Sequence, residues 1–505
     1  MEYIHLFICF FENSETSKSC SLVFSSLKYQ EYIKGDYQVK TYKNYYFVLL
    51  ILLLFSNITT QVLEDYYFDY CNTKHGLLNY VYADPDPNDR PDITFSNTYE
   101  PSGNDAKIKV HYNLTGSHYT TTAYAEFVGD SLQYYYDILD TTYGFYNLPY
   151  DCGFGTLNCT NYGGNYKLDV YIIDPDTLYT DDFWGMVSAE NEIPADTTGS
   201  GVTSFMEISR LIPFNDNDDL NNNTLKSVLI HELFHAMQNI YSITECLDEN
   251  VSKCQDLWFN ENVSVYIEDF LFPANSLIDS LQVNISQNPI KRMEFGINYM
   301  ISNSTKYEYA GSLWPRFLIE KYDDPDSLIL IKRILEEWES TGTIANSIDS
   351  VLTDVSYNYD STFDDALIEY AHWRIMLLDP NDTGHFSNPS RYPSTGMDTY
   401  ASNYPFYNRE NFTNSCQKMG AVELSRFVNI SSNFSMTFID EVPFDLKAKY
   451  YKFDGNSYID TTNITFDSFY DQEEELYSNY FSNSFSLGNC DTLYLSVMRF
   501  FRPPI

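Results

Sequence analysis

The stretch Thr224–Ile240 (TLKSVLIHELFHAMQNI) constrains this chain more than any other part of it. Leu225, Val228, Leu229, Leu233, Phe234, Met237 and Ile240 recur at helical spacing, so the segment reads as a helix buried inside a domain, with Asn223 or Thr224 placed to cap its start. His231 and His235 interrupt that apolar surface. They stand four residues apart, so their imidazoles project from one face, one turn from each other. Two imidazoles so placed can both reach one zinc ion at about 2.0–2.1 Å. Glu232 lies beside them, where a carboxylate can take a proton from water activated at the metal.

A third ligand comes from a second segment. Glu261, 26 residues after His235, sits in Trp258-Phe259-Asn260-Glu261-Asn262-Val263-Ser264-Val265-Tyr266-Ile267-Glu268-Asp269. Phe259, Val263, Tyr266, Ile267 and Phe270 give this segment one apolar helical face. Packed against the first helix, it would aim Glu261 at the metal. Two His and one Glu leave a fourth position for water, as a catalytic rather than a structural zinc site requires. Glu268, two turns on, shares the Glu261 face; it reads either as a solvated helix charge or as a hydrogen-bond partner of a ligating His.

HELFH followed by WFNENVSVYIED resembles the gluzincin-type zinc peptidases, and most closely a bacterial family of secreted metalloproteases showing HE-x-FH-A-x-Q and then W-F-x-E-x-x-A-x-W-x-E-D. The likeness spans roughly residues 95–340 and, weakly, the β-rich tail. Within it, Val110-His111-Tyr112, Asp169-Val170-Tyr171-Ile172 and Tyr309-Ala310-Gly311-Ser312-Leu313-Trp314-Pro315 fall where such proteins carry comparable segments. Ser264 replaces the commoner Ala. Asn262-Val263-Ser264 is a glycosylation sequon beside the third ligand, and we expect Asn262 to be unmodified, because a glycan there would block the cleft. The resemblance implies a thermolysin-like catalytic domain holding Zn2+ on His231, His235 and Glu261, with Glu232 as general base and then proton donor in peptide-bond hydrolysis. Related peptidases stabilise the oxyanion with a Tyr or His from outside the metal motif. Tyr309, with Tyr307 second, is the candidate here, weighed against plain packing in a chain with 46 Tyr. His111, His118, His372 and His385 have no ligand-like spacing and read as structural or surface residues.

Composition narrows the partners. Against 30 Lys and Arg stand 71 Asp and Glu, a formal net charge of −41. That balance argues against nucleic acid as a partner and against docking on anionic membrane by charge alone. With 44% hydrophobic and 17% aromatic residues, the chain is far too apolar to be a disordered acidic one. Tyr45–Phe55 (YYFVLLILLLF), following Lys40 and Lys43, has the length of a signal-peptide h-region and is short of a bilayer span. We expect secretion, with an uncleaved anchor at 45–55 as the alternative; the residues in front make an unusually long n-region. Sequons at Asn113, Asn158, Asn284, Asn303, Asn381, Asn411, Asn429 and Asn463 fit that route, although a chain this rich in Asn and Ser makes some by chance. Beyond residue 60 stand Cys71, Cys152, Cys159, Cys246, Cys254, Cys416 and Cys490, an odd set with no CxxC zinc pattern. Cys152/Cys159 and Cys246/Cys254 are spaced for short-loop disulfides and Cys416/Cys490 could close the C-terminal region. Cys71 could instead pair with Cys152 or Cys159.

The chain divides into an N-terminal extension (1–60), a leader or linker (61–93) with the Pro/Asp-rich Asp84–Pro91, a metallopeptidase domain (94–400) and a β-sandwich-like domain (403–505). Lys107–Tyr112 and Leu168–Ile173 read as strands, Tyr124–Tyr143 as an amphipathic helix, and 224–350 as mainly helical. Phe434–Phe438 and Thr492–Val497 carry the alternation of the C-terminal strands. Asn215–Asn223 reads as a solvated polar loop, with calcium binding as the alternative. The fold expected is therefore α+β: a small sheet beside the active-site helix, a helical lower half and a C-terminal all-β domain. Substrate, a protein or peptide, would lie extended along a sheet edge, at Tyr171 or at Met186–Ala189. With no glycine-rich motif to grip a substrate amine, an endopeptidase is favoured over a zinc aminopeptidase. The alternative from another class is a catalytically inactive secreted glycoprotein or adhesin on the same scaffold, against which the intact Glu232 argues.

Overall fold

The structure is a computed structural model that describes residues 5–11, 20–26, 90–103, 105–149, 167–179, 183–193, 201–216, 222–242, 256–273, 311–379, 381–392, 400–403, 422–428, 433–440, 445–464, 467–471, 476–486 and 490–500. Residues Met1–Gln61 form one compact unit and Val62–Ile505 another. In the first, β1 (His5–Phe11) pairs antiparallel with β2 (Cys20–Ser26). The signal-type segment 45–55 and the linker up to residue 89 lie outside the described residues, as do Tyr307 and Tyr309, every cysteine named above except Cys490, and the sequons at Asn158, Asn284, Asn303, Asn411 and Asn429.

The second unit is α+β. It starts with β3 (Asn97–Tyr99), β4 (Ile108–Tyr112), α1 (Thr122–Asp137), β5 (Leu168–Ile173), the single turn α2 (Pro175–Leu178), β6 (Gly185–Glu192) and β7 (Val202–Ser209). The five strands form one sheet in the order β3-β4-β5-β7-β6. The β4–β5 and β5–β7 pairs are parallel, while β6 runs antiparallel to β7 along an outer edge. Strand alternation splits the side chains between two layers. Val110, Val170, Ile172, Met206 and Ile208 join the main core, whereas Tyr171, Ile173, Met186 and Phe205 form a smaller cluster. Of the two sheet edges expected to receive substrate, Met186–Ala189 lies on the outer strand β6. Tyr171 does not: β5 is hydrogen-bonded on both sides, so its backbone has nothing to offer an added strand.

The helical half comprises α3 (Asn223–Tyr241), α4 (Leu257–Leu271), α5 (Leu313–Tyr322), α6 (Ile329–Thr341), α7 (Ile344–Thr353) and α8 (Phe363–Met376). Helix α3 packs on α4 and against β6 and β7, which places it between sheet and helices. Its cap differs from the expected one. Asn222 is the N-cap, and its side chain closes the preceding loop instead, accepting from Asn215 N at 2.8 Å and donating to Asn215 O at 3.1 Å. Helix α1 also stops short of Tyr143, passing at Ile138–Thr142 into a π-helical turn. Thr343 and Thr362 accept from backbone N–H groups to start α7 and α8, and Gly342 ends α6 at φ 75°, a conformation that suits glycine.

Past residue 400 come β8 (Tyr400–Asn403), β9 (Val422–Val428), β10 (Asn433–Asp440), β11 (Asp445–Asp454), β12 (Ser457–Ile464), β13 (Asp467–Asp471), β14 (Leu476–Ser486) and β15 (Thr492–Phe500). They make a five-stranded sheet, β12-β11-β15-β9-β8, and a three-stranded one, β10-β14-β13. Leu424, Tyr451, Phe453, Tyr494 and Met498 of the larger sheet belong to the same core cluster as the helices. Cys490 is a free, buried thiol that donates to the Thr492 carbonyl at 2.9 Å, not half of the bridge to Cys416 that its position allowed. Among the described residues no helix is long and apolar enough to cross a membrane.

Candidate metal centre

Helix α3 is buried along almost its whole length, so the polar side chains it carries must find partners inside the protein. His231 and His235 project together, their Nε2 atoms 2.9 Å apart. From α4, Glu261 brings Oε2 to 3.3 Å from His231 Nε2 and 3.6 Å from His235 Nε2. The ligand atoms of the three residues all lie within 4.8 Å of one another, and each residue is at most 1% exposed.

The outer faces of the two imidazoles are fixed by hydrogen bonds. His231 Nδ1–H donates to Glu268 Oε1 at 2.6 Å and His235 Nδ1–H donates to Gln238 Oε1 at 2.9 Å. With the protons on Nδ1, both Nε2 lone pairs face one point, and neither Glu261 oxygen has a hydrogen-bond partner. Two lone pairs and a carboxylate turned towards one buried spot repel each other unless a cation stands between them, so these residues fit a divalent ion. Two imidazoles with one carboxylate is a donor set suited to zinc. Burial pushes the Glu261 carboxyl up, but with His235 and His231 in their cationic form their charge and N–H groups outweigh it and hold the carboxyl well below the usual carboxylate range; a divalent ion in place of those protons acts in the same direction. Glu261 is thus kept in the charged form a metal ligand needs.

Glu232, fully buried, faces the sheet. A Cβ added at Gly185, the first residue of β6, would lie 2.5 Å from Glu232 Cγ and 2.7 Å from its Oε1. The side-chain-free backbone of the edge strand therefore runs directly against the Glu232 carboxylate. Glu268 is 2% exposed and bonded to His231, not solvated. Asn262 is 1% exposed, and a Cβ at Gly311 would lie 1.7 Å from its Oδ1, so there is no room for a glycan at that sequon. Tyr309, the candidate oxyanion donor, lies outside the described residues.

Sequence reasoning missed several contributors. Gln238 Nε2 donates to the Asn260 carbonyl at 3.2 Å while its Oε1 holds His235, so one side chain joins α3 to the turn of α4 that carries Glu261. Ser264 Oγ adds contacts at 3.3 Å to His235 Nδ1 and to Gln238 Oε1. Gln238 stands three residues after His235, a spacing that puts the two on adjacent turns and could have signalled the contact. Asp269 accepts from both nitrogens of Arg391 at 2.8 and 3.0 Å and also from Arg316, anchoring the far end of α4. Nothing in the spacing of Asp269, Arg316 and Arg391 points to that cluster.

His111, His118, His372 and His385 have local partners. His111 Nε2 meets Asp169 Oδ1 at 2.5 Å, in a network where Arg90 also binds Asp169, Tyr171 and Glu190. His118 Nδ1 accepts from Asp174 N at 3.0 Å. His372 and His385 lie against each other. No family model matches the chain, and no curated protein shows significant similarity to it.

Proposed function

We propose that the chain is a secreted zinc metallopeptidase of the gluzincin type, built on a thermolysin-like arrangement and acting as an endopeptidase. The observation that carries this reading is the buried convergence of His231, His235 and Glu261, with Glu232 next to His231 in the same buried helix. His231, His235 and Glu261 would hold the ion. When bound, zinc supplies the positive charge that acidifies water and polarises a carbonyl. Glu268 and Gln238 keep both imidazoles in the tautomer that offers Nε2. Glu232 accepts a proton from the attacking water at its carboxylate and returns it to the leaving amine nitrogen.

The outer strand β6 supports the choice of an extended peptide as substrate. Among the described residues it is the outer strand of its sheet, the place where an extended peptide can add, and its first residue lies against Glu232. Because the site residues are almost fully buried, the reading also requires the cleft to open for substrate. The hydrophobic run at 45–55 supports secretion. A non-catalytic binding scaffold is the weaker reading, since a binding module has no use for a buried carboxylate next to a ligating histidine in the same helix.

The test is cleavage of a diverse peptide library by the chain from Gln61 onward, read by mass spectrometry, beside Glu232→Gln. Internal cuts made by the wild type and absent with the variant are the expected result. Removal of terminal residues only would replace endopeptidase with aminopeptidase. No cut by either protein, after zinc is supplied, would sink the peptidase reading.

A further inference from the structure

A second pair of imidazoles converges far along the chain from the first. His372, on α8, and His385, in the segment that follows that helix, bring their Nε2 atoms to 3.1 Å. The carboxylate of Asp382 accepts from His385 Nδ1–H at 2.8 and 2.9 Å through its two oxygens. That bond fixes the tautomer: the proton of His385 is on Nδ1, and its Nε2 lone pair points at His372. Packing fixes the rings as well. Tyr451 of β11 stacks on His372 with centroids 5.5 Å apart, and Trp373 meets His385 edge-to-face at the same distance.

We propose that His372 and His385 form a second metal site, taking a borderline-soft divalent ion such as Zn2+ or Cu2+ on their two Nε2 atoms. Nitrogens 3.1 Å apart can both lie about 2.0–2.1 Å from one ion, the distance zinc keeps to imidazole. The pair shares two features with the candidate metal centre, Nε2 atoms about as close (2.9 Å there) and a carboxylate that holds one ring by its Nδ1, while no third protein ligand joins it among the described residues. The His385 side chain is 17% exposed, so water can complete the coordination shell. Glu369, one turn before His372, is engaged by Lys321 at 3.1 Å and is not counted as a ligand. An ion here would clip the end of α8 to the segment after it, against β11. The site is independent of the peptidase reading.

Equilibrium dialysis of the full chain against chelator-buffered Zn2+ tests the site. Wild type is expected to bind two ions, the weaker of which is lost in both His372→Gln and His385→Gln while the tighter remains. The reverse pattern is expected for His231→Gln, so the two sites fail separately. Asp382→Asn is expected to weaken the second ion by about 10–100-fold. Cu2+ added to chain already loaded with one Zn2+ should show coupling to two imidazole nitrogens by electron paramagnetic resonance, and His385→Gln should abolish it. Far-UV circular dichroism checks that each variant is folded; if His372→Gln is not, His385→Gln alone decides. If no ion is lost in His385→Gln, whether the chain takes up one ion or two, the proposal is overturned. The rings would then be a plain hydrogen-bonded pair with His372 Nε2–H donating to His385.

Discussion

Glu232 and the groups behind the two imidazoles have separable roles at the scale of single residues. On the metallopeptidase reading, Glu232→Gln removes the proton acceptor but no metal ligand. It is expected to lower kcat by roughly 10²–10⁴-fold while the variant still binds zinc stoichiometrically by dialysis; loss of the metal together with activity would make Glu232 structural instead. Gln238→Ala and Glu268→Gln should act in the opposite sense. Each frees one imidazole to change tautomer or turn, so zinc affinity is expected to fall by about 10–100-fold. A competition titration with a chromogenic chelator measures that directly. His231, Glu232 and His235 were legible because a helix repeats every 3.6 residues and local spacing alone brings them together. Gln238 was half-legible for the same reason. Its second bond, to the Asn260 carbonyl, depends on how α4 packs, and no spacing announces it.

At the scale of elements, the site is a contact between α3, α4 and β6. Gly185 is where β6 passes Glu232, so Gly185→Ala drives a methyl group into the Glu232 side chain, which is itself buried. A misplacement of the order of 1 Å can cost about 10²-fold in rate. We expect a loss of that size in kcat, with zinc affinity close to wild type; unchanged turnover would show that Glu232 has room to move. Asp269 holds the other end of α4 through Arg316 and Arg391, with all three side chains largely buried. Asp269→Ala takes a shared carboxylate from two largely buried guanidinium groups and is expected to cost about 3 kcal/mol in urea unfolding. The strands at Lys107–Tyr112 and Leu168–Ile173 were readable because their alternation and β-branched content are local properties. That β5 is internal and β6 an edge was not, because strand order is set by which faces the helices cover.

For the whole molecule, stability should respond to both metal and pH. An ion that binds only the folded chain stabilises it by about 4 kcal/mol at a thousandfold excess over Kd. Exhaustive chelation is therefore expected to lower the Tm, and added Zn2+ to restore it. Glu207, on β7, is fully buried, with the Tyr179 hydroxyl donating to it at 2.9 and 3.0 Å. Burial raises its pKa from 4.5 to about 8, against the opposing pull of that hydrogen bond. Between these values the unfolded chain has released the proton and the folded chain still holds it, so stability from this group falls as pH rises through the window and levels off above it. Glu207→Gln keeps an acceptor for Tyr179 and is expected to remove that slope. Its Tm should match wild type near pH 4 and exceed it at pH 8; parallel curves for the two proteins would mean that Glu207 is ionised in the fold.

The order of residues by itself determined the α+β class, the helix carrying His231, Glu232 and His235, and the candidacy of Glu261, since each rests on periodicity within a short stretch of chain. Only the tertiary structure decided that Glu268 is buried against His231 and not solvated, that Asn262 has no room for a glycan, and that His372 and His385 meet. Those outcomes depend on which faces of α3, α4 and α8 turn inward. That is settled by burying the greatest apolar area over the whole core, a collective quantity that no local pattern contains.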